Sequence, residues 1–420
     1  MTRAVVAVVG LGYVGLPLAA RACEVGLPTV GYDVSPAVVT GLNEGRSHVG
    51  DVPDATVAAM RERGFVAHRD PEVLAGCDTV VICVPTGLDG AGEPDLSALR
   101  GAARAVGGHL RTGTLVVLES TSYPGTTDTL LREILERESG LQAGEDFHLA
   151  YSPERIDPGN TEFSLKNTPK IVSGYTPLCL KYATAFYQRL VDRLVLSGGT
   201  REAEMAKLLE NTHRYVNIAL VNEVARYCER TGIDVWDVLH CAGTKPFGYS
   251  AFQPGPGVGG HCVPVDPRYL DVHATEQGFT FQLLAAARRV ISAMPERVVE
   301  RAADVLRQEG RGLAGSRVLL LGVSYKPDVA DVRESPAAPI ARLLREAGAD
   351  VVYHDPLVTA FSAAGIPLLR EKELAGALAR ADLAILLQDH TCYPSQQLAQ
   401  APCALLDTRG KTAGARVTLL

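Results

Sequence analysis

The sequence predicts an α/β protein with two Rossmann-like, doubly wound domains joined by a long central helix and a small helical middle domain. Three observations favour this fold class. A valine-rich apolar run near the start is followed by a glycine turn and a helical pattern. A long helical pattern then covers residues 201–232, and a second alternation of strands and helices begins at residue 315. We therefore expect domains at 1–199, 200–312 and 313–420.

The composition is that of an ordinary globular protein. Hydrophobic residues make up 46% and charged residues 21% of the 420 residues. The net charge of −7 argues against nucleic acid or an anionic membrane as the main partner. The nine cysteines are scattered without a CxxC pair, so we expect reduced thiols in a cytoplasm and no metal site. We find no signal-peptide pattern and no apolar run long enough for a membrane span.

The first strand–helix unit carries a dinucleotide-binding fingerprint. Between an apolar strand over 4–9 and a helix over 16–25, the chain reads Gly10-Leu11-Gly12-Tyr13-Val14-Gly15. Gly10 permits a tight turn, and Gly12 lets a pyrophosphate approach the N-terminus of the helix. A second strand ends at Asp33, which would bind the ribose hydroxyls and repel a 2′-phosphate. The pattern therefore predicts NAD as the cofactor in preference to NADP.

Two further strands are expected to end beside this cofactor. A strand over 78–84 ends at Pro85-Thr86, and a strand over 114–118 is followed by Ser120-Thr121. Ligands of such sheets bind beyond the carboxyl ends of the strands. The Ser/Thr-rich stretch 120–127 is also typical of a capped helix start, and both interpretations can hold together.

A strand over 148–151 leads into a polar loop that contains Glu154, Arg155 and Asp157. A solvated loop is the ordinary alternative. The position of this loop at a strand end favours a functional role.

The central helix combines a polar stripe with an apolar remainder. Glu204 lies in its first turn, where an acid suits the helix dipole. Lys207, Asn211 and Arg214 follow at spacings that place them on one face. A solvent-facing stripe is the common alternative, but the other positions are largely apolar. We therefore predict a mostly buried helix whose stripe needs a phosphate, a ligand or a carboxylate, and which also suits a dimer interface.

The stretch 255–267 contains four glycines and three prolines around Cys262. Such a backbone belongs to neither a helix nor a strand, and its glycines let another group approach the main chain. Asp266 follows four residues after the cysteine. The alternative is a tight loop around a buried structural thiol, which is the usual state of an isolated cysteine.

Helices are expected over 268–278 and 281–309, followed by the second α/β unit. Its first loop places Lys326 and Arg333 at a strand end, where they can serve a phosphate. This unit lacks a complete GxGxxG, so we do not expect a second NAD site.

With these motifs in hand, the sequence resembles the nucleotide-sugar 6-dehydrogenase family, named after its UDP-glucose and GDP-mannose members. The resemblance covers the whole chain and rests on six motifs in register. They are Gly10-x-Gly12-Tyr13-Val14-Gly15-Leu16, Ser120-Thr121-x-x-Pro124-Gly125-Thr126-Thr127, the Glu154 loop, Lys207-x-x-x-Asn211, Gly259-Gly260-x-Cys262-x-Pro264-x-Asp266, and Lys326-Pro327 with Arg333-x-Ser335-Pro336. The resemblance implies two Rossmann-like domains and a homodimer or higher oligomer. It also implies uronic acid products for polysaccharide or glycoside biosynthesis.

The resemblance implies a two-step oxidation of the C6 alcohol of a nucleotide-diphosphate hexose to a carboxylate with two NAD⁺. Lys207, Asn211 and Asp266 are similar to the family's residues around the reacting oxygen, where a buried lysine can support an oxyanion. Cys262 is similar to the nucleophile that traps the aldehyde as a thiohemiacetal and then a thioester. A helix starting near Pro264 would lower the pKa of its thiol.

The remaining site residues follow from the same resemblance. Glu154, with Thr121 close by, is similar to the residue that activates the hydrolytic water. Cofactor contacts are expected from Gly10, Gly12, Tyr13, Val14, Gly15, Asp33, Pro85, Thr86, Ser120, Thr121 and Arg333. Substrate contacts are expected from Glu154, Arg155, Lys207, Asn211, Arg214, Phe247, Tyr249, Ser250, Gly257, Gly259, His261, Cys262 and Lys326.

Three positions refine the substrate. The loop reads Ser152-Pro153-Glu154-Arg155, His261 precedes the cysteine, and Val265 precedes the aspartate. These resemble the N-acetylhexosamine branch, which acts on UDP-N-acetylglucosamine or UDP-N-acetylmannosamine. UDP- or dTDP-glucose stays as an alternative. A two-electron dehydrogenase of the hydroxyacid type leaves Cys262 unexplained. A catalytically silent NAD sensor leaves unexplained the intact set of Cys262, Lys207, Asn211 and Asp266.

Overall fold

A computed structural model describes residues 5–157, 159–160, 162–260 and 262–420. The chain divides into two compact units, which we describe separately. The first consists of Met1–Glu210 with Arg268–Gln277, and the second of Asn211–Pro267 with Gly278–Leu420. Within the described ranges, no helix is both long and apolar enough to cross a membrane.

The first unit is built on an eight-stranded sheet. Its strands and a small hairpin are β1 (Val6–Val9), β2 (Thr29–Tyr32), β3 (Val66–His68), β4 (Thr79–Ile82), β5 (Gly87–Leu88), β6 (Pro94–Asp95), β7 (Leu115–Leu118), β8 (His148–Tyr151), β9 (Lys170–Gly174) and β10 (Leu194–Leu196). The sheet order is β10-β9-β8-β7-β4-β1-β2-β3, and β5 pairs with β6 as a separate hairpin. All sheet pairs are parallel except β8 with β9, so β9 and β10 run against the other six strands.

The helices of this unit are α1 (Gly15–Glu24), α2 (Pro36–Asn43), α3 (Asp54–Glu62), α4 (Ser97–Gly107), α5 (Arg132–Ser139) and α6 (Pro177–Tyr187). A 3₁₀ segment covers Pro71–Gly76, and a π-helical turn over Thr127–Leu131 precedes α5. The next helix, α7 (Thr200–Thr231), starts in the first unit and ends in the second.

The central strands explain why the apolar runs of the sequence are continuous. Every residue of β1, β4 and β7 is buried, as expected for parallel strands covered on both faces. The strands predicted over 4–9, 78–84 and 114–118 are therefore confirmed, with shorter bounds. Their carboxyl ends lie side by side, because β1, β4 and β7 are neighbours in the sheet.

The second unit contains a six-stranded parallel sheet of order β15-β12-β11-β16-β17-β18. Its strands are β11 (Arg317–Leu321), β12 (Asp350–His354), β13 (Ser362–Ala363), β14 (Ile366–Pro367), β15 (Leu369–Arg370), β16 (Leu383–Leu386), β17 (Ala404–Asp407) and β18 (Val417–Leu419), of which β13 and β14 form a separate hairpin. The later helices of the chain are α8 (Val235–Gly243), α9 (Asp266–Glu276), α10 (Gln282–Ser292), α11 (Met294–Gln308), α12 (Ala337–Glu346), α13 (Leu374–Arg380) and α14 (Ser395–Ala399). This topology confirms the second α/β unit.

Two predictions about the helices are wrong. The single helix expected over 281–309 is two helices, α10 and α11, which meet at Ala293. Pro295 lies in the first turn of α11, where a proline starts a helix but cannot continue one from the preceding turn. The prediction that α7 is mostly buried is also wrong, since Leu209, Leu220 and Tyr227 are each more than half exposed.

Candidate active site

The three glycines after β1 are needed for two different reasons. Gly10 has a φ of +87°, and a Cβ there would lie 2.8 Å from the carbonyl oxygen of Cys83. A Cβ at Gly15 would lie 1.8 Å from the carbonyl oxygen of Gly10. At Gly12, by contrast, a Cβ would meet nothing within 4 Å. The chain's own packing requires the first and third glycines, whereas the second leaves an open space at the start of α1, where an anion is favoured.

Asp33 is fixed beside this loop at the end of β2. Its Oδ2 accepts a hydrogen bond from the N–H of Leu11 at 2.8 Å, and its Oδ1 accepts one from the N–H of Ser35 at 2.8 Å. Each carboxylate oxygen has a second lone pair that can accept a ribose hydroxyl. The open space at Gly12 and this fixed carboxylate together fit an NAD molecule.

The loops after β4 and β7 lie at the same edge of the sheet. The Ser120 hydroxyl donates to the carbonyl of Val84 at 2.7 Å and so ties the two loops together. Thr86 is buried, Thr121 is half-buried and Pro85 is exposed. The structure thus brings these predicted cofactor residues to the edge where Gly12 lies.

Glu204 anchors the loop that carries Thr121. Its Oε2 accepts the N–H of Gly125 at 2.6 Å. Its Oε1 accepts both the N–H of Thr127 at 2.9 Å and the hydroxyl of the same residue at 2.6 Å. Burial raises the pKa of Glu204 to about 7, although these hydrogen bonds lower it. The sequence predicted only that Glu204 suits the helix dipole. Its buried hydrogen bonds to Gly125 and Thr127 were not predicted.

Glu154 and Arg155 follow β8 and have different surroundings. The Glu154 Oε1 accepts a hydrogen bond from the N–H of Ile156, and its Oε2 lies 3.9 Å from the ammonium of Lys170. Arg155 forms an ion pair of 2.7 Å with Glu210. Within the first unit, the carboxylate of Glu154 is therefore half-buried, and the guanidinium of Arg155 is paired with Glu210 and not with Glu154.

The polar stripe of α7 divides into a buried and an exposed part. Lys207, in the first unit, and Asn211, in the second, are both buried. Arg214, predicted on the same face, is exposed. The prediction of a shared buried stripe thus holds for Lys207 and Asn211 and is wrong for Arg214.

Asn211 and Asp266 form the central polar contact of the second unit. The Asn211 amide donates to the Asp266 Oδ2 at 2.5 Å, and both side chains are buried. Asp266 is the first residue of α9, and its N–H donates to the carbonyl of Cys262 at 2.9 Å. Cys262 therefore lies one turn before α9, with an exposed thiol, beside a fixed amide–carboxylate pair.

The glycines of the cysteine loop serve the protein's own packing. A Cβ at Gly259 would lie 2.7 Å from the Tyr325 side chain and 2.9 Å from the carbonyl oxygen of Glu334. A Cβ at Gly260 would also meet Tyr325, at 2.7 Å. Gly257 is less tightly packed, since its Cβ would lie 3.1 Å from Pro336, but its φ of +142° itself favours glycine. The expectation that these glycines let another group approach the main chain is met within the chain itself, by Tyr325 and the carbonyl of Glu334. The glycines let the cysteine loop pack against the loop that follows β11.

That second loop carries Lys326 and Arg333. Lys326 is half-buried and Arg333 is exposed. The guanidinium of Arg333 forms an ion pair with Asp331 at 2.6 Å. The backbone carbonyl of Arg333 accepts a hydrogen bond from the N–H of Gly260 at 2.9 Å. The main chain of this loop is thus joined directly to the cysteine loop within the second unit.

Two residues that support these loops were missed in the sequence. The buried His390 accepts the N–H of Asp328 at its Nδ1 at 2.9 Å, and its Nε2 lies 3.1 Å from the Asp355 carboxylate. Burial raises the pKa of the Asp355 carboxyl. The hydrogen bonds from His390 and from backbone N–H groups lower it by more than burial raises it, so the pKa is about 2. Arg409, which follows β17, has its Nη1 3.0 Å from where a Cβ of Gly255 would lie. Its position at a strand end was the signal that could have revealed it.

Four predicted substrate residues gain little from the structure. Phe247, Tyr249 and Ser250 are exposed in the stretch after α8. His261 lies outside the described residues. Their roles stay predictions.

Each unit contains a coherent part of the chemistry that a dehydrogenase needs. The first unit has a glycine loop whose open space fits a dinucleotide, the carboxylate of Glu154 and the buried Lys207. The second has an exposed thiol next to a fixed Asn–Asp pair. Among the described residues, no group of three His, Cys, Asp or Glu side chains is arranged to hold a metal ion.

Comparison with family models covers most of the chain. Residues 4–191 match the NAD-binding domain of the UDP-glucose/GDP-mannose dehydrogenase family. Residues 201–291 match its central domain, and residues 319–413 match its UDP-binding domain.

Individual relatives agree with these matches. The chain is 35% identical to a UDP-N-acetyl-D-mannosamine dehydrogenase of Yersinia pestis, over 93% of this chain and 94% of that protein. It is 38% identical to a UDP-N-acetyl-D-glucosamine 6-dehydrogenase of Pseudomonas aeruginosa, over 84% of this chain and 83% of that protein. Among solved structures, a UDP-D-ManNAc dehydrogenase from Pyrococcus horikoshii superposes with a TM-score of 0.90 at 31% identity, covering 99% of this chain and 98% of the other.

Proposed function

The chain belongs to the UDP-glucose/GDP-mannose dehydrogenase family, and we propose that it oxidises the C6 alcohol of UDP-N-acetylglucosamine or UDP-N-acetylmannosamine to a carboxylate. It is an NAD-dependent nucleotide-sugar dehydrogenase. The N-acetylhexosamine substrate is supported by the names of the relatives and by the Ser152–Arg155 loop. Both nucleotide sugars are named among these relatives, so the proposal covers both.

NAD⁺, when bound, would supply the hydride acceptor for each of the two oxidation steps. The residues at the carboxyl edge of the first sheet would hold this cofactor. Gly12 leaves space for the diphosphate at the start of α1, and Asp33 binds the adenosine ribose. Ser120 and Thr86 line the neighbouring strand ends.

In the first oxidation, the residues of α7 stabilise the charge on the C6 oxygen. The hydroxyl proton passes to a water molecule as the hydride leaves the carbon, and the buried ammonium of Lys207 stabilises the negative charge that develops on the oxygen. Asn211 is held in place by Asp266 and donates its second amide hydrogen to the same oxygen. The product of this step is the C6 aldehyde.

The second oxidation proceeds on Cys262. The sulfur adds to the aldehyde carbon and forms a thiohemiacetal, and loss of hydride from that carbon gives a thioester. Glu154 takes a proton from water as the water oxygen attacks the thioester carbon. The C–S bond then breaks, Cys262 leaves as a thiolate, and the sugar leaves as a carboxylate. The observation that carries this proposal is the exposed Cys262 one turn before α9, beside the 2.5 Å Asn211–Asp266 contact.

We also propose that the protein forms a homodimer through α7. Leu220 and Tyr227 are seven residues apart, so they lie on one face of the helix, and they are 57% and 63% exposed. Exposed apolar side chains that share one helix face favour an interface, whereas singly scattered ones are common on any protein surface. The molar mass in solution, measured by light scattering, distinguishes a dimer from a monomer.

The proposed activity is tested with UDP-, dTDP- and GDP-linked hexoses and N-acetylhexosamines. We expect carboxylate formation to be fastest with a UDP-N-acetylhexosamine. Cys262→Ala should abolish carboxylate formation while NAD binding persists. Cys241, the exposed cysteine of α8, supplies the matched control, and Cys241→Ala should retain full activity. Full carboxylate formation by the Cys262 variant would refute the covalent step, and a preference for UDP- or dTDP-glucose would refute the substrate assignment.

A further inference from the structure

A buried ionic cluster that the chemistry above does not use lies next to Glu154. The ammonium of Lys170 is 2.9 Å from the Oε2 of Glu119, and the hydroxyl of Tyr187 donates to the Oε1 of the same carboxylate. All three side chains are buried. A buried charged pair costs desolvation and is weak evidence for added stability, so its position next to a reactive loop calls for another reason.

The reversed strand β9 explains why this lysine reaches the active edge. Because β9 runs against β8, its first residue, Lys170, lies at the edge where the parallel strands end. The register pairs Tyr151 with Ser173 and Ala150 with Gly174. Continued by three residues, this register sets Glu154 opposite Lys170. Residues that face each other in this way point to the same side of the ladder.

The contacts of the ammonium fit a role in holding Glu154. Lys170 donates to Glu119 at 2.9 Å and to the carbonyl of Pro153 at 3.1 Å, which leaves one N–H of its three. The Oε2 of Glu154 lies 3.9 Å away. Its other oxygen is held by the N–H of Ile156. One oxygen of the carboxylate is thus held by a hydrogen bond within its own loop, and the other lies within ion-pair distance of the ammonium but beyond hydrogen-bond distance.

The charges around Lys170 keep it cationic. Burial lowers the pKa of this ammonium, but the carboxylates of Glu119 and Glu154 raise it further, so that it lies above its ordinary value. Tyr187 and Cys83 also face the ammonium. Two acids therefore share one cation, and without that cation they would repel each other.

We propose that Lys170 is a positioning residue that holds Glu154 in place for hydrolysis of the thioester. The inference rests on the proposed function, because it assigns a role to the loop that delivers water. Glu119 and Tyr187 fix the ammonium, and the ammonium fixes Glu154. A carboxylate can activate water only when its oxygen is aligned with the attacking water molecule. A misaligned Glu154 would therefore slow hydrolysis of the thioester and leave the preceding steps unchanged.

The variants are chosen so that the protein still folds. Lys170→Met alone strands Glu119 as an unpaired buried carboxylate and destabilises the unit. The double variant Glu119→Gln/Lys170→Met removes the pair as a whole and leaves Tyr187 an amide oxygen to bond. Glu119→Gln alone keeps the ammonium next to Glu154. Lys166→Met removes an exposed lysine of the same segment and serves as the control.

The measurement follows NADH release and the enzyme-bound adduct after mixing with a UDP-N-acetylhexosamine. For the double variant we expect kcat to fall about tenfold to a hundredfold and KM to fall with it, so that kcat/KM changes little, because only a step after formation of the covalent adduct is slowed. Two NADH per subunit should appear in a burst, and intact mass spectrometry of quenched enzyme should show the thioester on Cys262. Lys166→Met should turn over like the unmodified protein, without accumulation of the adduct. Glu119→Gln keeps an amide oxygen that can accept a hydrogen bond from the Lys170 ammonium, so its kcat should fall much less than that of the double variant.

The outcomes separate this inference from the proposed function. If the unmodified protein releases one NADH per sugar, the four-electron function fails before any variant is compared. If the protein releases two, and the double variant hydrolyses its thioester at the unmodified rate, the role of Lys170 is refuted. An equal loss in Glu119→Gln also overturns it, because the Lys170–Glu154 contact is intact in that variant.

Discussion

Gly12→Ala should separate cofactor binding from folding, because the three glycines of the first loop have different surroundings. A methyl group at Gly12 enters space that is open for 4 Å. The unfolding free energy should therefore change by no more than about 0.5 kcal/mol, as at other unpacked positions. If the diphosphate lies at Gly12 as proposed, the same methyl group would obstruct its approach. We expect NAD to bind at least about tenfold more weakly, which corresponds to about 1.4 kcal/mol.

Gly15→Ala supplies the contrast. Its Cβ would lie 1.8 Å from the carbonyl oxygen of Gly10, a contact that only a backbone shift can relieve. Overpacking of this kind costs about 1–3 kcal/mol, so this variant should unfold at a lower temperature than the Gly12 variant. Thermal unfolding followed by circular dichroism measures stability without cofactor, and titration calorimetry measures NAD affinity. Unchanged NAD affinity in Gly12→Ala, or a stability loss equal to that of Gly15→Ala, would refute the assignment of the open space to the diphosphate.

Two other predictions follow from fixed carboxylates. Asp33→Ala removes the group that would repel a 2′-phosphate, so NAD should bind more weakly and the preference for NAD over NADP should narrow; an unchanged ratio of kcat/KM for the two cofactors would place ribose recognition elsewhere. Asp355 has a pKa of about 2 against an ordinary 3.8, so its ionised form stabilises the fold above pH 4, and this contribution is lost as the pH falls towards 2. Asp355→Asn should therefore cost roughly 2 kcal/mol more at pH 6 than at pH 2, measured by denaturant unfolding, and a pH-independent cost would contradict the shifted pKa.

Local patterns carried the fold prediction. The continuous apolar runs of β1, β4 and β7 report burial on both faces, and the fingerprint ending at Asp33 depends on residues that are close in sequence. Both α/β units were therefore predictable. Pro295 was a local signal of the break between α10 and α11. The break was not predicted because the residues on both sides of it have helical periodicity.

The supporting contacts of the site depend on residues far apart in the chain. Glu204 bonds to Gly125, 79 residues away, and Lys170 pairs with Glu119 across 51 residues. Periodicity shows that a position is buried but does not identify the partner that makes a buried charge tolerable. Gly259 is a further example. A Cβ at this position would clash with Tyr325 and with the carbonyl oxygen of Glu334, and both residues are remote in sequence.

The central claim is that one enzyme removes four electrons from one sugar through Cys262. The most direct test is the number of NADH molecules released per molecule of UDP-N-acetylhexosamine consumed, with the sugar product identified by mass spectrometry. Two NADH per sugar, a uronic acid product and no released aldehyde are the predicted result. One NADH per sugar, with an aldehyde or ketone as the product, would contradict the claim.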